Sequence, residues 1–287
     1  MNIVVVLDKA SGLTSHDAVA GVKKAFKVRK AGHAGTLDPM ATGILPVCLN
    51  EATKITGFLS DLDKDYVVTA RLGESTDTYD SEGVVVKKAA DFSISREEFE
   101  ETADSFQGEI YQVPPMYSAI KVNGRPLYEL ARKGVEVERK ARPVTIKTLE
   151  ILAFCPPFFT LGVTCSKGTY IRSLCHDIGE ALGVGAHVTA LRRTRIGHFR
   201  IEEAARMEEL PHKTTALLTI DSALRHLREI VLDDVSFKRA GNGNPVSFGA
   251  AESVKPEFVR LKDPGGRLFG IGKAFSDLIK IERIFNM

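Results

Sequence analysis

The 287-residue chain reads as an α+β protein: a mixed, mostly antiparallel sheet flanked by helices, with a small C-terminal β-barrel-like domain. Three observations predict this. Strand-like and helix-like segments interleave up to about residue 225 without a regular βαβ period, which argues against a parallel sheet. Beyond a boundary at 222–230 the helix signals stop, and short apolar runs alternate with Gly, Asn and Pro turns. The composition, 44% hydrophobic and 26% charged with no low-complexity tract or repeat, is that of a chain able to bury a sizeable core.

The segments follow in order. "MNIVVVLDKA" has an apolar run of five broken by Asp8 and no basic flank, so it predicts a first strand rather than a leader or a membrane span. From Ser15 a helix is expected, with Ala18, Val19, Val22 and Phe26 on one face. "ILPVCL" (44–49) and "YVVTARL" (66–72) read as strands. Ser95 and Glu98 have capping-box spacing and open a helix, and Asn123-Gly124 signals a hairpin or loop. "FTLGVTCS" (159–166) is a strand, followed by a helix through "TYIRSLCHDIGEALG". The domains expected are 1–225 and 226–287, the second built of "EIVLDD", "NPVSF", "FVRLKDPGGRLFGIGKAF" and "LIKIERIF". Cys48, Cys155, Cys165 and Cys175 show no C-x-x-C spacing and no matching histidine pair, so they are expected to be buried, reduced thiols in a cytoplasmic protein, with no metal.

Net charge is only +2, but its distribution is uneven. Residues 21–33 carry five Lys/Arg and no acid, 121–147 carry eight against three Glu, and "LRRTRIGHFR" (191–200) holds four Arg; residues 91–109 hold seven acids and one Arg. Any one such run can be a solvated face. Three of them on a nearly neutral protein suggest one positive face for a polyanion.

The first basic run leads into "GHAGTLDPMATG" (32–43), which holds three glycines and the lone carboxylate Asp38 before Pro39. Glycines let a backbone approach a ligand closely, and the proline biases Asp38 away from helical geometry. Asp38 with His33 is a poor metal ligand set, there is no G-x-x-x-x-G-K-[ST], and the D-x-D of Mg²⁺-dependent aspartyl-phosphate enzymes is missing. The plain alternative is that Asp38 only turns the loop. A nucleophile candidate beside a polyanion-binding face points instead to chemistry on a nucleotide without metal or cofactor.

"LDKASGLTSHDAV" (7–19), "AGHAGTLDPMATGILPVCLNEATKI" (31–55), "DKDYVVTARLGESTDTYDSEG" (63–83), "PPMYSAIKVNGRPLYELARKGVEVERKARPV" (114–144), "CSKGTYIRSLCHDIGEALGVGAHVTALRR" (165–193) and "NGNPV" (242–246) resemble, in order, the motifs of the bacterial TruB-type tRNA pseudouridine synthase family. The resemblance implies a pseudouridine synthase catalytic domain plus a PUA domain. It implies isomerisation of uridine 55 in the T-arm loop of tRNA, by a cytoplasmic, cofactor-free monomer that binds the T stem-loop and the acceptor arm.

It also implies site residues. Asp38 matches the catalytic Asp, an attacking or charge-steadying carboxylate. Tyr66 matches the active-site Tyr, able to stack on an extracted base, although a strand Tyr otherwise reads as core. Arg172 matches an active-site Arg, and neither Gly168 nor His176, its neighbours four residues away, is an acid partner. Asp80 would pair with Arg172, Leu191 would pack on the base, Tyr170 would line the pocket and His33 would help evict the nucleotide. Residues 117–146 match an RNA-clamping insertion, with Lys121, Arg132 and Arg142 on phosphates. Two other readings stand beside this one: a guide-RNA-dependent relative, which largely lacks that insertion, and an RNA-binding or folding helper without catalysis.

Overall fold

The computed structural model describes residues 1–122, 124–247 and 256–286. The first unit runs β1 (Ile3–Lys9), α1 (Ser15–Phe26), β2 (Ala31–His33), β3 (Thr42–Leu49), α2 (Thr56–Ser60), β4 (Lys64–Leu72), β5 (Glu74–Thr76) and β6 (Val85–Lys88). It continues through α3 (Arg96–Asp104), β7 (Gly108–Gln112), β8 (Lys121–Val122), β9 (Arg125–Pro126), α4 (Leu127–Ala131), β10 (Arg142–Cys155) and β11 (Phe158–Cys165). Next come α5 (Ile171–Ala181), β12 (Ala186–Ile196), β13 (Phe199–Arg200), β14 (Leu217–Thr219) and α6 (Ile220–Ala223). The C-terminal part holds β15 (Arg228–Val231), α7 (Asp234–Gly241), β16 (Val246–Ser247), β17 (Glu257–Lys262), β18 (Leu268–Phe275) and β19 (Leu278–Ile284).

The main sheet has the order β14-β1-β3-β12-β4-β11-β10-β7, with β2 on β3 and β13 on β12. Every pairing in it is antiparallel except β3 with β12, which run parallel through Thr42↔Arg192 and Gly43↔Arg193 alone. The expected α+β class with a mixed, mostly antiparallel sheet therefore holds. Helix α1 starts where the sequence requires: Thr14 and Asp17 form a reciprocal capping box, and Ala18, Val19 and Val22 bury one face. Ser95 Oγ accepts the Glu98 amide at the start of α3. Strands β8 and β9 form the expected hairpin, of whose turn Asn123 lies outside the described residues.

One face of the sheet packs α1, α3 and α5 over Leu7, Val22, Leu45, Val68, Phe99, Leu161 and Leu174. The other face, with Val4, Val6, Ile44 and Ile55, receives Leu268, Ile271 and Phe285 from the C-terminal part. That part is a five-stranded sheet, β15-β17-β18-β19-β16, with its own core around Val259, Leu261 and Ile279 and a shape consistent with a PUA-like fold. The junction also holds a polar and an aromatic contact: Lys54 Nζ donates to the Ile284 carbonyl at 2.8 Å, and Phe58 meets Phe258 edge to face at 5.0 Å.

Two expectations are corrected. Helix signals do not stop at 222–230, because α7 follows, capped by Asp233 accepting the Ser236 amide at 2.7 Å. It escapes periodicity because it is short and fully buries only Ala240. Of the four cysteines, Cys155 is exposed, at the end of β10 where the strand outruns the core before a Pro156-Pro157 turn. No helix among the described residues is long and apolar enough to cross a membrane.

His198, in the turn between β12 and β13, sits at the junction 5.7 Å from His226, with both ring nitrogens buried and unpartnered among the described residues. Burial, and then the nearby Arg225 and His226, lower its pKa from 6.5 to about 4. Between those values the unfolded chain binds the extra proton and the folded one does not, so stability falls as pH falls through that window. In urea melts, His198→Gln should lose less stability than the wild type between pH 6.5 and 4.

Candidate active site

The Asp38 loop connects β2 to β3 and is tied down on both sides. Ser15 Oγ accepts the Leu37 amide at 2.8 Å and donates to the Leu37 carbonyl at 2.9 Å. The Gly12 amide donates to the Pro39 carbonyl at 2.9 Å, and Ser11 Oγ to the Met40 carbonyl at 3.1 Å. Buried Lys9 directs its ammonium to the carbonyls of Ala10, Leu13 and Pro39, at 2.9, 2.7 and 3.2 Å, and desolvation lowers its pKa to about 8. Of the loop's glycines, Gly35 lines the cavity that opens over Asp38, while Gly43 serves the sheet. Gly43 has φ +103°, and a Cβ there would lie 2.1 Å from the Arg193 carbonyl oxygen, so the parallel contact of β3 with β12 requires glycine.

Asp38 meets Arg172 of α5 in a two-point contact: Nε to Oδ2 at 2.8 Å and Nη2 to Oδ1 at 3.0 Å. The same buried guanidinium donates through Nη1 to the Thr78 carbonyl at 2.7 Å and through Nη2 to the Tyr117 carbonyl at 2.8 Å. Asp80 Oδ2 lies 3.4 Å from Nη1. Asp80 is fixed in turn, accepting Thr78 Oγ1 at 2.6 Å and the Glu82 amide at 3.1 Å. Between them Tyr79 takes φ +63° and stacks on His176, one turn along α5 from Arg172, at 3.9 Å. Arg172 therefore has a fixed plane and presents Asp38, about a third exposed, in one orientation.

A cavity of about 240 Å³ opens over Asp38, bounded by Tyr66, Tyr170, Arg172 and Leu191. One nucleobase fits such a space; a helical strand does not. Burial raises the pKa of the Tyr66 phenol, with the charge of Arg193 opposing the rise, and burial likewise raises Tyr170. Gln112 holds the Tyr170 backbone in place, accepting its amide at 2.7 Å and donating to its carbonyl at 3.0 Å.

The remaining expected residues lie elsewhere. His33, on β2, does not line the cavity; its Nδ1 is buried without a partner among the described residues. Lys121, Arg132 and Arg142 are exposed and do not line the cavity, Arg132 lying over the Tyr128 ring at 5.6 Å and Arg142 near enough for its charge to act on Tyr170. Their segment reaches the site through Ser118 and Ala119, which line the cavity. Among the described residues no group of three or more His, Cys, Asp or Glu side chains is placed to hold a metal ion.

Two charged lining residues escaped the sequence reading, Lys64 and Arg193. Arg193 is 1% exposed and donates to the carbonyls of Ile44, Thr36 and Gly35 at 2.8, 3.2 and 2.9 Å, holding both flanks of the Asp38 loop. The available signal was the strand period of two: Lys64 shares a face with Tyr66, and Arg193 with Leu191. The four-arginine run 191–200 is consequently not a free cationic face. Arg192 pairs with Asp8 at 2.8 Å, Arg195 with Asp65, and Arg193 is core.

Residues 23–171 match "TruB family pseudouridylate synthase (N terminal domain)" and residues 172–233 match "tRNA pseudouridylate synthase B C-terminal domain". The tRNA pseudouridine synthase B of Haemophilus influenzae (strain PittEE) is 43% identical over 290 residues, 98% of this chain and 94% of the relative. That of Pseudomonas aeruginosa (strain UCBPP-PA14) is 44% identical over 283 residues, 96% of this chain and 92% of the relative. Among solved structures, a chain of a Cbf5-Nop10-Gar1 complex aligns with TM-score 0.78 at 29% identity, covering 99% of this chain and 84% of that one. A chain of an H/ACA RNP bound to a substrate RNA containing 2′-deoxyuridine aligns at 0.76 and 26%, covering 99% and 85%. Fold and site thus define a pseudouridylate synthase, an isomerase. Within that class the chain belongs to the TruB family.

Because Gly43 sits at positive φ against the Arg193 backbone, Gly43→Ala should destabilise the fold by about 2 kcal/mol or more, read as a lower urea midpoint.

Proposed function

We propose that the protein converts uridine 55 in the T-arm loop of tRNA to pseudouridine, with Asp38 as the nucleophile acting on a flipped-out base. The observation that carries this is the Asp38 carboxylate, fixed by the buried Arg172 guanidinium, at the floor of a base-sized cavity walled by Tyr66. Identity of 43–44% over nearly the whole chain to enzymes named for tRNA, against 26–29% to the H/ACA proteins, favours tRNA over a guide-RNA substrate. The ordered segment 117–122 and 124–146, joined to the site through Tyr117, supports a clamp on the stem-loop.

The chemistry balances within the substrate. Asp38 bonds either to C6 of the base or to C1′; the C1′–N1 bond breaks with its electron pair passing to the base; the base turns; C5 bonds to C1′, the Asp38 bond breaks with its pair returning to the carboxylate, the C5 proton leaves and N1 gains one. No cofactor enters. Tyr66 stacks on the base, a contact of roughly 1–3 kcal/mol. Leu191 and Tyr170 confine it, Asp80 positions Arg172, and His33 helps evict the nucleotide from the loop. Extraction costs a few kcal/mol, which backbone contacts through Lys121, Arg132 and Arg142 offset. The catalytic unit is 1–225; 226–287 is a PUA-like unit on the acceptor arm of a tRNA bound by a monomer.

A T stem-loop carrying tritium at uracil C5 tests the reading. Asp38→Asn should abolish tritium release while RNA affinity stays within about tenfold, because the transition state needs the charge more than the bound ground state does. Near-native release by this variant would remove Asp38 from the mechanism. Neutralising Lys121, Arg132 and Arg142 together should weaken binding and flatten the log–log salt slope by roughly 2, three contacts of about 0.7 each. Single-turnover chemistry on saturating RNA should change far less; an unaltered slope would make the segment ordinary surface.

A further inference from the structure

Three cations are buried beside the Asp38 loop and cavity, and none has a carboxylate within ion-pairing distance among the described residues: Lys9, Lys64 and Arg193. Lys9 is spent on the backbone, and Arg193 is shared between the backbone and the Tyr66 phenol. Lys9 directs its ammonium to three carbonyls, and every nitrogen of the Arg193 guanidinium donates to a carbonyl of the Asp38 loop or β3. Lys64 differs. Its Nζ donates to the Ser60 carbonyl at 2.6 Å and to the Leu62 carbonyl, which leaves one of the three ammonium protons free, and the residue lines the cavity. It stands on the same face of β4 as Tyr66, two residues away.

A buried ammonium without an ion-paired carboxylate costs free energy, and an apolar side chain would fill the same wall without that penalty. A cation in this position is useful where negative charge develops opposite it. On the proposed reaction, on which this inference rests, such charge arises on the base by either route. Attack of Asp38 at C6 sends an electron pair to the uracil O4 as an enolate, and attack at C1′ expels the base with the N1 pair. Arg172 already faces Asp38, so it is the partner of the nucleophile rather than of the base.

We propose that Lys64 is the electrostatic partner of the base: its ammonium, backed by the charge of Arg193, stabilises the negative charge that uracil takes on by either route. No covalent bond to Lys64 forms, and its proton stays on nitrogen throughout. The groups around it are Arg193 on β12, Asp61 and Asp63 ahead of β4, and Cys165, its cross-strand neighbour on β11. Desolvation, reinforced by Arg193, lowers the Lys64 pKa to about 8. As pH rises through that value the ammonium loses its charge and the rate falls. Burial raises the pKa of Tyr66, and that of Cys165 to about 11, so neither accounts for such a limb. Lys9 is also lowered to about 8, and an arginine at position 64 separates the two.

The experiment is single-turnover tritium release from T stem-loop across pH 6 to 10, at saturating RNA for the rate comparison and at subsaturating RNA for the pH profile, which reports the free protein, with affinity by filter binding. Lys64→Met, of similar length and neutral, should slow release by about 100-fold or more while affinity stays within about threefold. Lys64→Arg should stay within about tenfold of wild type and lose the alkaline limb near pH 8, since guanidinium does not titrate there. A Lys64→Met rate within about threefold of wild type would overturn the proposal, as would a loss of affinity matching the loss of rate. Persistence of the limb in Lys64→Arg would overturn it too, and that profile decides alone if the methionine variant fails to fold. Wild-type release from the same stem-loop tests the underlying reading separately.

Discussion

The sheet is two antiparallel halves held together by a parallel contact of two residue pairs, Thr42 with Arg192 and Gly43 with Arg193. Everything chemical lies at that joint. One half brings Asp38 on the loop ahead of β3; the other brings Tyr66 and Lys64 on β4 and Leu191 on β12, with Arg172 arriving on α5. A joint of two pairs is weak by itself, and Arg193 reinforces it by donating to carbonyls at 35, 36 and 44, on both sides of Asp38. The buried guanidinium thus sets the position of Asp38 relative to the cavity wall as much as it stabilises the fold. Gly43 is the complementary requirement, since any Cβ would force the two strands apart.

Charge in the site is arranged by depth. Arg172 lies between two carboxylates, Asp38 and Asp80, with its remaining donors on backbone carbonyls of the segments at 78 and 117. Behind them, Lys9, Lys64 and Arg193 are held by carbonyl dipoles, with no carboxylate in ion-pairing contact among the described residues. Carbonyl dipoles orient a cation without cancelling its charge, so the wall behind the cavity keeps a positive potential. The strained Tyr79 turn fits the same logic: its backbone supplies one acceptor to Arg172, and its ring leans on the helix that carries Arg172.

Much of the fold was legible because its elements are locally consistent. Thr14 and Asp17 cap α1, period-two burial marks β4 and β11, and Asn123-Gly124 flags the short hairpin. The site was legible through residues with a motif around them, Asp38 above all, and the cavity gathers Tyr66, Tyr170, Arg172 and Leu191 with it. What stayed hidden is tertiary in origin. A run such as "LRRTRI" looks like exposed charge until one learns that Asp8 and Asp65 lie opposite Arg192 and Arg195 and that Arg193 points inward. Lys64 sits in a "DKDY" stretch that reads as polar turn, and only the register of β4 shows its face. Helix α7 is too short to display a period, and Cys155 is exposed because its strand overruns the core.

The bidentate contact of Asp38 with Arg172 joins residues 134 positions apart, and the same guanidinium gathers carbonyls 94 and 55 positions away. Contacts of that separation form late, since the entropy of closing long loops must be met before they contribute. No fragment of the first half of the chain contains both partners, and a collapsed intermediate with native helices but an unjoined sheet would lack a site altogether. Nascent or half-folded chains are therefore silent toward RNA uridines, and Asp38 acquires its orientation only when synthesis has passed α5 and both halves of the sheet have met.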